Sequence, residues 1–323
     1  NMNNAAVDRG GKVEEVIIPS EWKNIEIKAK SDDRDIPDFI KNVVEPINAQ
    51  KGDDLPVSAF VGREDGTFPA GTTEYEKRGI AVNVPEWQAD NCIQCNQCAI
   101  VCPHASIRPV LLSDEEVQKA PKGYETKKAI GKGMENLHFR IKVYPEDCVG
   151  CGNCADICPS KEKALIMQPI EGQIQQQKPL LPYSETIPTR DAGLDKYTVK
   201  GSQFHKPLLE FSGACAGCGE TPYLKVITQL YGDRMLIANA TGCSSIWGGS
   251  APSVPFSLNH EGHGPAWANS LFEDNAEYGF GMALASLQRR EKLKDLIQHT
   301  IDQNLIPPVQ KETFQNWITN MYD

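Results

Sequence analysis

Two stretches, CIQCNQCAIVCP and CVGCGNCADICP, constrain this 323-residue chain more than anything else in it. Cys92, Cys95, Cys98 and Cys102 precede Pro103, and Cys148, Cys151, Cys154 and Cys158 precede Pro159. Both read C-x2-C-x2-C-x3-C-P, the bacterial spacing for a pair of 4Fe–4S clusters. In that spacing three close cysteines wrap one cubane and the fourth crosses to the other. Cys92, Cys95, Cys98 and Cys158 are therefore expected at one cluster, and Cys148, Cys151, Cys154 and Cys102 at its partner. The prolines stop each crossing turn from continuing as helix. Gly150 and Gly152 let the backbone approach an inorganic core. Structural zinc prefers two separated C-x2-4-C pairs, and disulfide scaffolds are usually small and secreted. Two complete copies of the run favour clusters over both.

The rest of the composition narrows the class. The length suggests about two domains. A net charge of −10 argues against a general binder of nucleic acid or anionic membrane. No apolar run approaches a transmembrane helix, and NMNNAAVDRGGKVEE lacks the apolar stretch of a signal peptide. Eleven cysteines, eight of them in the two runs, fit a reducing compartment, with the cytoplasm the simplest.

Residues 1–30 read as the tail of a preceding domain. Val13, Val16, Ile17 and Ile18 suggest one strand ending at Pro19, with no partner nearby in sequence. Residues 31–85 read as a linker arm. In it Ile36, Phe39, Ile40, Val43 and Val44 have helical spacing, ended by Pro46. Residues 86–185 hold the two-cluster domain. Ile107–Leu112 and Ala164–Met167 read as the strand after each run. Leu137, Phe139, Ile141 and Val143 alternate with polar residues as a half-buried strand. Residues 186–323 change character. Thr221 and Pro222 open a helix with Leu224, Ile227, Leu230 and Tyr231 on one face. Met235–Ala238 reads as a buried strand, and helices are expected over about 274–288 and 291–301. Helix, strand, loop, helix suggests a parallel α/β layer, with Trp247, Trp267 and Tyr278 in its core.

GACAGCGE places Cys215 and Cys218 as C-x2-C, and Cys243 follows in ATGCSS. By spacing alone the three suit a zinc site or a redox pair; beside two clusters, a third 4Fe–4S cluster is the better reading. Here the sequence resembles the pyruvate:ferredoxin (flavodoxin) oxidoreductases. The likeness rests on GDDLPVSAF, DGTFPAGTTEYEKRGIAVNVPEW, CIQCNQCAIVCPHASIRP, DCVGCGNCADICP, GACAGCGETPY, NATGCSSIWGGSAPS and GPAWANSLFEDNAEYGFGM, across about residues 50–282 in the family's order.

The resemblance implies an α+β ferredoxin-like two-cluster domain joined to the N-terminal part of an α/β thiamine-diphosphate-binding domain. It implies oxidative decarboxylation of pyruvate to acetyl-CoA and CO2. Single electrons would pass through three 4Fe–4S clusters to ferredoxin or flavodoxin, in a homodimer. Cys215, Cys218 and Cys243 would hold the proximal cluster, with its fourth ligand outside this sequence. Glu220, Cys243 and Phe272 would contact thiamine diphosphate, and Asn1 would match a coenzyme A contact. The family's G-D-G…N motif for Mg2+ and diphosphate does not occur here, so this segment alone is expected to be inactive. No residue is assigned a catalytic role, although His260 and His263 lie in a loop suited to proton transfer and His104 is placed to donate to a cluster sulfur. Seven basic residues against Glu125 and Glu135 give residues 119–142 a net charge of 7 − 2 = +5, a patch suited to steering an acidic acceptor. The competing class is a stand-alone iron–sulfur carrier with a vestigial tail.

Overall fold

The computed structural model describes residues 2–13, 15–24, 35–272 and 274–322. It divides into two compact units, 1–37 and 38–323. In the first, α1 (Met2–Gly10) has no buried residue, and a 3-10 turn spans Ser20–Asn24. The strand expected at 13–18 does not form. Val13, Val16, Ile17 and Ile18 are all exposed.

The second unit begins with helix at 38–48, including a π-turn Ile40–Val44 and α2 (Glu45–Asn48). Pro46 does not end it. The Glu45 N–H reaches back five residues to the Ile40 carbonyl, and this wider turn carries the chain into a proline that has no N–H to place. Ile40, Val43 and Val44 are buried. The arm then docks on residues 252–257. Thr72 Oγ1 donates to Pro252 O and accepts from Val254 N at 2.8 Å. Thr73 Oγ1 donates to Glu210 O at 2.9 Å. Lys77 pairs with Asp147 at 2.7 Å, and Arg78 donates to Ser212 O at 3.1 Å.

The cluster domain has two small sheets. β1 (Asn83–Trp87) pairs antiparallel with β5 (Leu165–Pro169), Trp87 opposite Leu165. β2 (Ile107–Leu112) pairs antiparallel with β4 (His138–Val143), and β3 (Lys127–Lys128) adds to the other edge of β4. Each run makes one short helical turn, α3 (Gln97–Ile100) and α5 (Asn153–Asp156). Their entries, Asn96 and Gly152, have positive φ of 62° and 80°. Trp87, Ile107, Leu111, Phe139, Ile141 and Leu165 form the core between the sheets. β4 is covered on both faces, not one. Arg140 lies over the Tyr124 ring at 4.3 Å, and Lys142 pairs with Glu185 at 2.9 Å.

The segment between the runs that exceeds a minimal two-cluster fold is ordered by α4 (Asp114–Lys119) and β3. Ser113 caps α4 in a reciprocal box with Glu116, and Glu116 also takes Arg190 at 2.7 and 2.8 Å. Burial pushes the Glu116 carboxyl up, but the Arg190 and Ser113 donors outweigh it and the net shift is down. Its contribution to stability is thus present above the ordinary value of 4.5 and lost as pH falls through the lower folded value. Glu116→Gln should lower the melting temperature at pH 7, with the gap from wild type closing as pH falls below about 4. A gap independent of pH would contradict this assignment. Ser113→Ala should cost about 1 kcal/mol.

α6 (Ile170–Gln177), α7 (Leu181–Thr186) and α8 (Val199–Ser202) lead to the last region. There α9 (Thr221–Tyr231) precedes β6 (Leu236–Asn239), α10 (Cys243–Gly249), β7 (Ala266–Asn269), α11 (Asn275–Asp302) and α12 (Pro308–Asn320). β6 and β7 are parallel, and α11 packs on β6, an α/β layer. Two expected helices merge into α11, since no proline interrupts Arg289–Glu291. Thr221 makes no cap bond; it is buried as the first residue of α9, with Pro222 beside it. The buried face of α9 is Thr221, Lys225, Thr228 and Gln229, while Ile227 and Tyr231 are exposed. Trp247 is buried, Trp267 stacks on Phe256 at 6.5 Å, and Tyr278 is half-buried.

Candidate functional site

The two cysteine runs close around two cavities. One is lined by Cys92, Cys95, Cys98 and Cys158 with Ile93, Phe139 and Leu165, and holds 330 Å³ free of protein atoms. The other is lined by Cys102, Cys148, Cys151 and Cys154 with Pro103, Ile107 and Met167, and holds 320 Å³. Each thus draws three cysteines from one run and one from the other. The straps are α3 and α5, which pack on each other. Backbone N–H groups point at sulfur in both: Gln94 N to Cys92 Sγ, Gly150 N to Cys148 Sγ and Ala164 N to Cys158 Sγ, each 3.4 Å.

The chemistry of these donor sets fits clusters. Burial pushes the Cys148 thiol up to about 12 and raises Cys98 and Cys154 as well. Thiolates so enclosed need a cation against them, which iron supplies. Among the described residues no three His, Cys, Asp or Glu side chains converge tightly enough for a single ion. A cubane does not ask for that, because each thiolate binds its own iron at a separate corner.

The third cysteine group lies against the second cavity. A Cβ placed on Gly217 would stand 3.8 Å from Cys151 Cβ and from the Asn153 amide. His104, fully buried, donates from Nε2 to Ala214 O at 2.8 Å. It therefore ties the end of the first run to the loop carrying Cys215, and its Nε2–H does not go to a sulfur. Cys218 packs against the buried cluster of Leu209, Ala214, Trp247 and Phe256, and Glu220 accepts from Trp247 Nε1 at 3.2 Å. Cys243 begins α10, the helix that carries Trp247 one turn further on. Cys215 and Cys243 are exposed.

Phe272, 74% exposed, belongs to the same edge. Asn239 Nδ2 donates to Asn269 Oδ1 at 2.7 Å, and Thr241 Oγ1 to Ser270 O at 3.3 Å. These bonds align the loops that leave the carboxyl ends of β6 and β7, one leading to Cys243 and the other to Phe272. In open parallel sheets that edge is where ligands bind. Asn1 lies outside the described residues. His260 and His263 are exposed on a turn around Asn259, at 3.9 and 3.6 Å from Glu261.

Three of the seven basic residues of the 119–142 patch, Lys127, Arg140 and Lys142, are spent inside the protein. Lys127 Nζ donates to Ala89 O at 2.7 Å and Cys92 O at 3.0 Å, holding the first cysteine loop. Lys128 pairs with Asp114 at 3.3 Å, and Arg140 and Lys142 are buried. Lys119, Lys122 and Lys132 are exposed, so the surface patch is smaller than the sequence count suggests. Lys225, which nothing in the sequence singles out, is buried beside α3; an uninterrupted helix pattern gives no sign of it.

Two family models match the chain: a domain of unknown function (EKR) over residues 26–81, and a 4Fe-4S dicluster domain over residues 91–161. The chain is 57% identical over 303 residues to the pyruvate:ferredoxin oxidoreductase of Moorella thermoacetica, covering 94% of this chain and 26% of that protein. It is 55% identical over 324 residues to the pyruvate-flavodoxin oxidoreductase of Enterobacter agglomerans, covering 99% and 27%. A third relative, the pyruvate-flavodoxin oxidoreductase of Klebsiella pneumoniae, is 56% identical over 295 residues, covering 91% and 25%. The chain thus spans about a quarter of the length of these relatives. The resemblance runs through the cluster domain and on into the α/β region. No helix among the described residues is long and apolar enough to cross a membrane.

Proposed function

We propose that this chain is the relay segment of a 2-oxoacid oxidoreductase that converts pyruvate and coenzyme A to acetyl-CoA and CO2. The observation that carries the reading is the approach of the Cys215–Cys218 loop to Cys151, whose Cβ would stand 3.8 Å from a Cβ placed on Gly217. It joins the α/β region to the two-cluster domain at a cysteine, where an electron carrier alone would need no such contact. Identity over 99% of the chain with one relative likewise argues against a vestigial tail.

In this reading Cys92, Cys95, Cys98 and Cys158 ligate one cluster and Cys148, Cys151, Cys154 and Cys102 the other. Cys215, Cys218 and Cys243 supply three ligands of a third, which accepts first. Clusters at these cysteines, when bound, supply one-electron redox chemistry, and thiamine diphosphate the electron sink for decarboxylation. The chain's own part is to hold the sites close and dry. His104 and Arg78 fix the loop before Cys215, and α3 and α5 bring the two ferredoxin-type quartets together. Glu220 is oriented by Trp247, which leaves its other oxygen to a cofactor at the β6–β7 edge. Domain bounds of 86–185 and 186–323, Mg2+ held by residues elsewhere, a homodimer, a ferredoxin or flavodoxin acceptor and a cytoplasmic site belong to the same reading.

The full-length protein should reduce a viologen dye only when pyruvate and coenzyme A are both supplied. Dye reduction indifferent to pyruvate would overturn the reading. The 323-residue chain alone, reconstituted anaerobically, should hold about eight irons, bind thiamine diphosphate weakly and reduce no dye. Three cysteines, two of them exposed, leave one iron of a third cubane without a thiolate. Twelve stable irons with tight thiamine binding would show that other residues complete the site.

A further inference from the structure

Lys225 is 1% exposed. Its Nζ donates to three backbone carbonyls: Ala99 O, Ile100 O at 3.1 Å and Cys102 O at 3.0 Å. Three acceptors need three N–H donors, so the group is the ammonium. The carbonyls lie at and just past the C-terminal end of α3, where a helical turn runs out of backbone donors; of the three, Ala99 O also accepts from Cys102 N at 3.3 Å. α3 carries Cys98, which lines the first cavity, and leads into Cys102, which lines the second. One positive charge therefore sits, out of water, on the peptide strap shared by the two quartets.

The internal repeat provides a comparison within the same molecule. Cys154 and Cys158 occupy in the second run the places of Cys98 and Cys102. There Lys163 Nζ donates to Asp156 O at 3.0 Å and Cys158 O at 2.8 Å, the counterparts of Ile100 O and Cys102 O. Lys163 is exposed and comes from the cluster domain itself. Lys225 is buried and comes from α9, which begins directly after Glu220. Carbonyl capping is common to both sites. What differs is screening: a charge in water is damped by solvent and salt, whereas a buried one acts at full reach.

We propose that Lys225 is a positioning residue that sets the reduction potential of the relay, its buried ammonium favouring the reduced form of both clusters and most of all the one at Cys102, Cys148, Cys151 and Cys154. The step concerned is a one-electron reduction: the cluster gains one negative charge, the donor loses one electron, and no bond breaks and no proton moves. A fixed positive charge lowers the energy of the product. The effect is larger at the Cys102 quartet because the ammonium is bonded to that ligand's own carbonyl. That quartet, through Cys151, also lies beside the Cys215–Cys218 loop, so the cluster that receives the electron is the one made easier to reduce. This inference rests on the cluster ligation proposed above.

The test is a redox titration followed by electron paramagnetic resonance on the full-length protein with its iron content measured. Lys225→Gln and Lys225→Met should make at least one cluster about tenfold harder to reduce, close to 59 mV more negative for a one-electron couple. Lys225→Arg should keep the wild-type potential, and Lys163→Gln should shift it by much less than Lys225→Gln does. Unchanged potentials in the Gln and Met variants with iron retained would overturn the proposal, as would an equal drop in the Arg variant. Loss of iron in the Gln and Arg variants alike would overturn it in favour of a purely structural pin. Absence of both clusters from the wild type would instead refute the ligation on which it rests.

Discussion

Cys158→Ser should strip or degrade the cluster associated with Cys92, Cys95 and Cys98 and spare the one associated with Cys148, Cys151 and Cys154. Cys158 is the last cysteine of the second run yet lines the first cavity. Its sulfur takes the Ala164 N–H at 3.4 Å, and it lies near Cys98, whose thiol feels Cys92, Cys95 and Cys158 as neighbours. Cys102 does the converse, lining the cavity of Cys148, Cys151 and Cys154. Cys102→Ser should therefore damage the other cluster. Each variant should retain about four of eight ferredoxin-type irons, with one of the two resonance signals lost. Since the two clusters differ in neighbours and in their distance from Lys225, redox titration distinguishes which remains. Selective loss of the cluster next in sequence to the mutated cysteine would reject the crossed arrangement.

What the sequence made legible is local. The two runs declare themselves because four cysteines at fixed short spacing can be counted without knowing the fold. Strands β2 and β5 follow them as short apolar runs, and the α/β layer follows from apolar β6 and the helices around it. What stayed hidden depends on partners far away in the chain. Nothing in the sequence marks Lys225 as buried, because the carbonyls it satisfies belong to residues 99–102. Arg140 and Lys142 read as the wet face of β4, because Tyr124 and Glu185 cover them from outside the strand. Lys127 reads as a docking charge, although it holds Ala89 and Cys92 carbonyls. In each case a basic side chain is spent inside, on carbonyls or a carboxylate that pattern analysis cannot see. The Glu76-Lys77-Arg78 triplet belongs to the same class. It lies within the matched domain of unknown function and binds Ser253, Asp147 and Ser212 in turn, so the arm is a clamp and not a free linker.

Glu210→Ala should destabilise the protein by about 3–5 kcal/mol, the typical effect of leaving a buried charge without its partner. Glu210 is 3% exposed and Arg108 9%, and they are paired directly. Burial pushes the Glu210 carboxyl up, yet Arg108 and Lys206 hold it below its ordinary value. Arg108 donates as well to Ala105 O at 2.8 Å and lies between the Tyr144 and Phe211 rings at 4.8 and 5.1 Å. Removing Glu210 alone strands this guanidinium in an aromatic site, and Arg108→Met alone strands the carboxylate. The double variant Arg108→Met, Glu210→Met strands neither, and apolar replacement of a buried pair is often close to neutral. Thermal unfolding should show drops on the order of 10 °C for each single variant and a much smaller one for the double. A double variant as unstable as the sum of the singles would refute this account. The pair has a second consequence, because it joins β2, which follows the first run, to the segment that continues into Cys215. Loosening it should also slow electron entry from the Cys215–Cys218 loop, measured as the pre-steady-state rate of cluster reduction, and the double variant should recover that rate together with the stability.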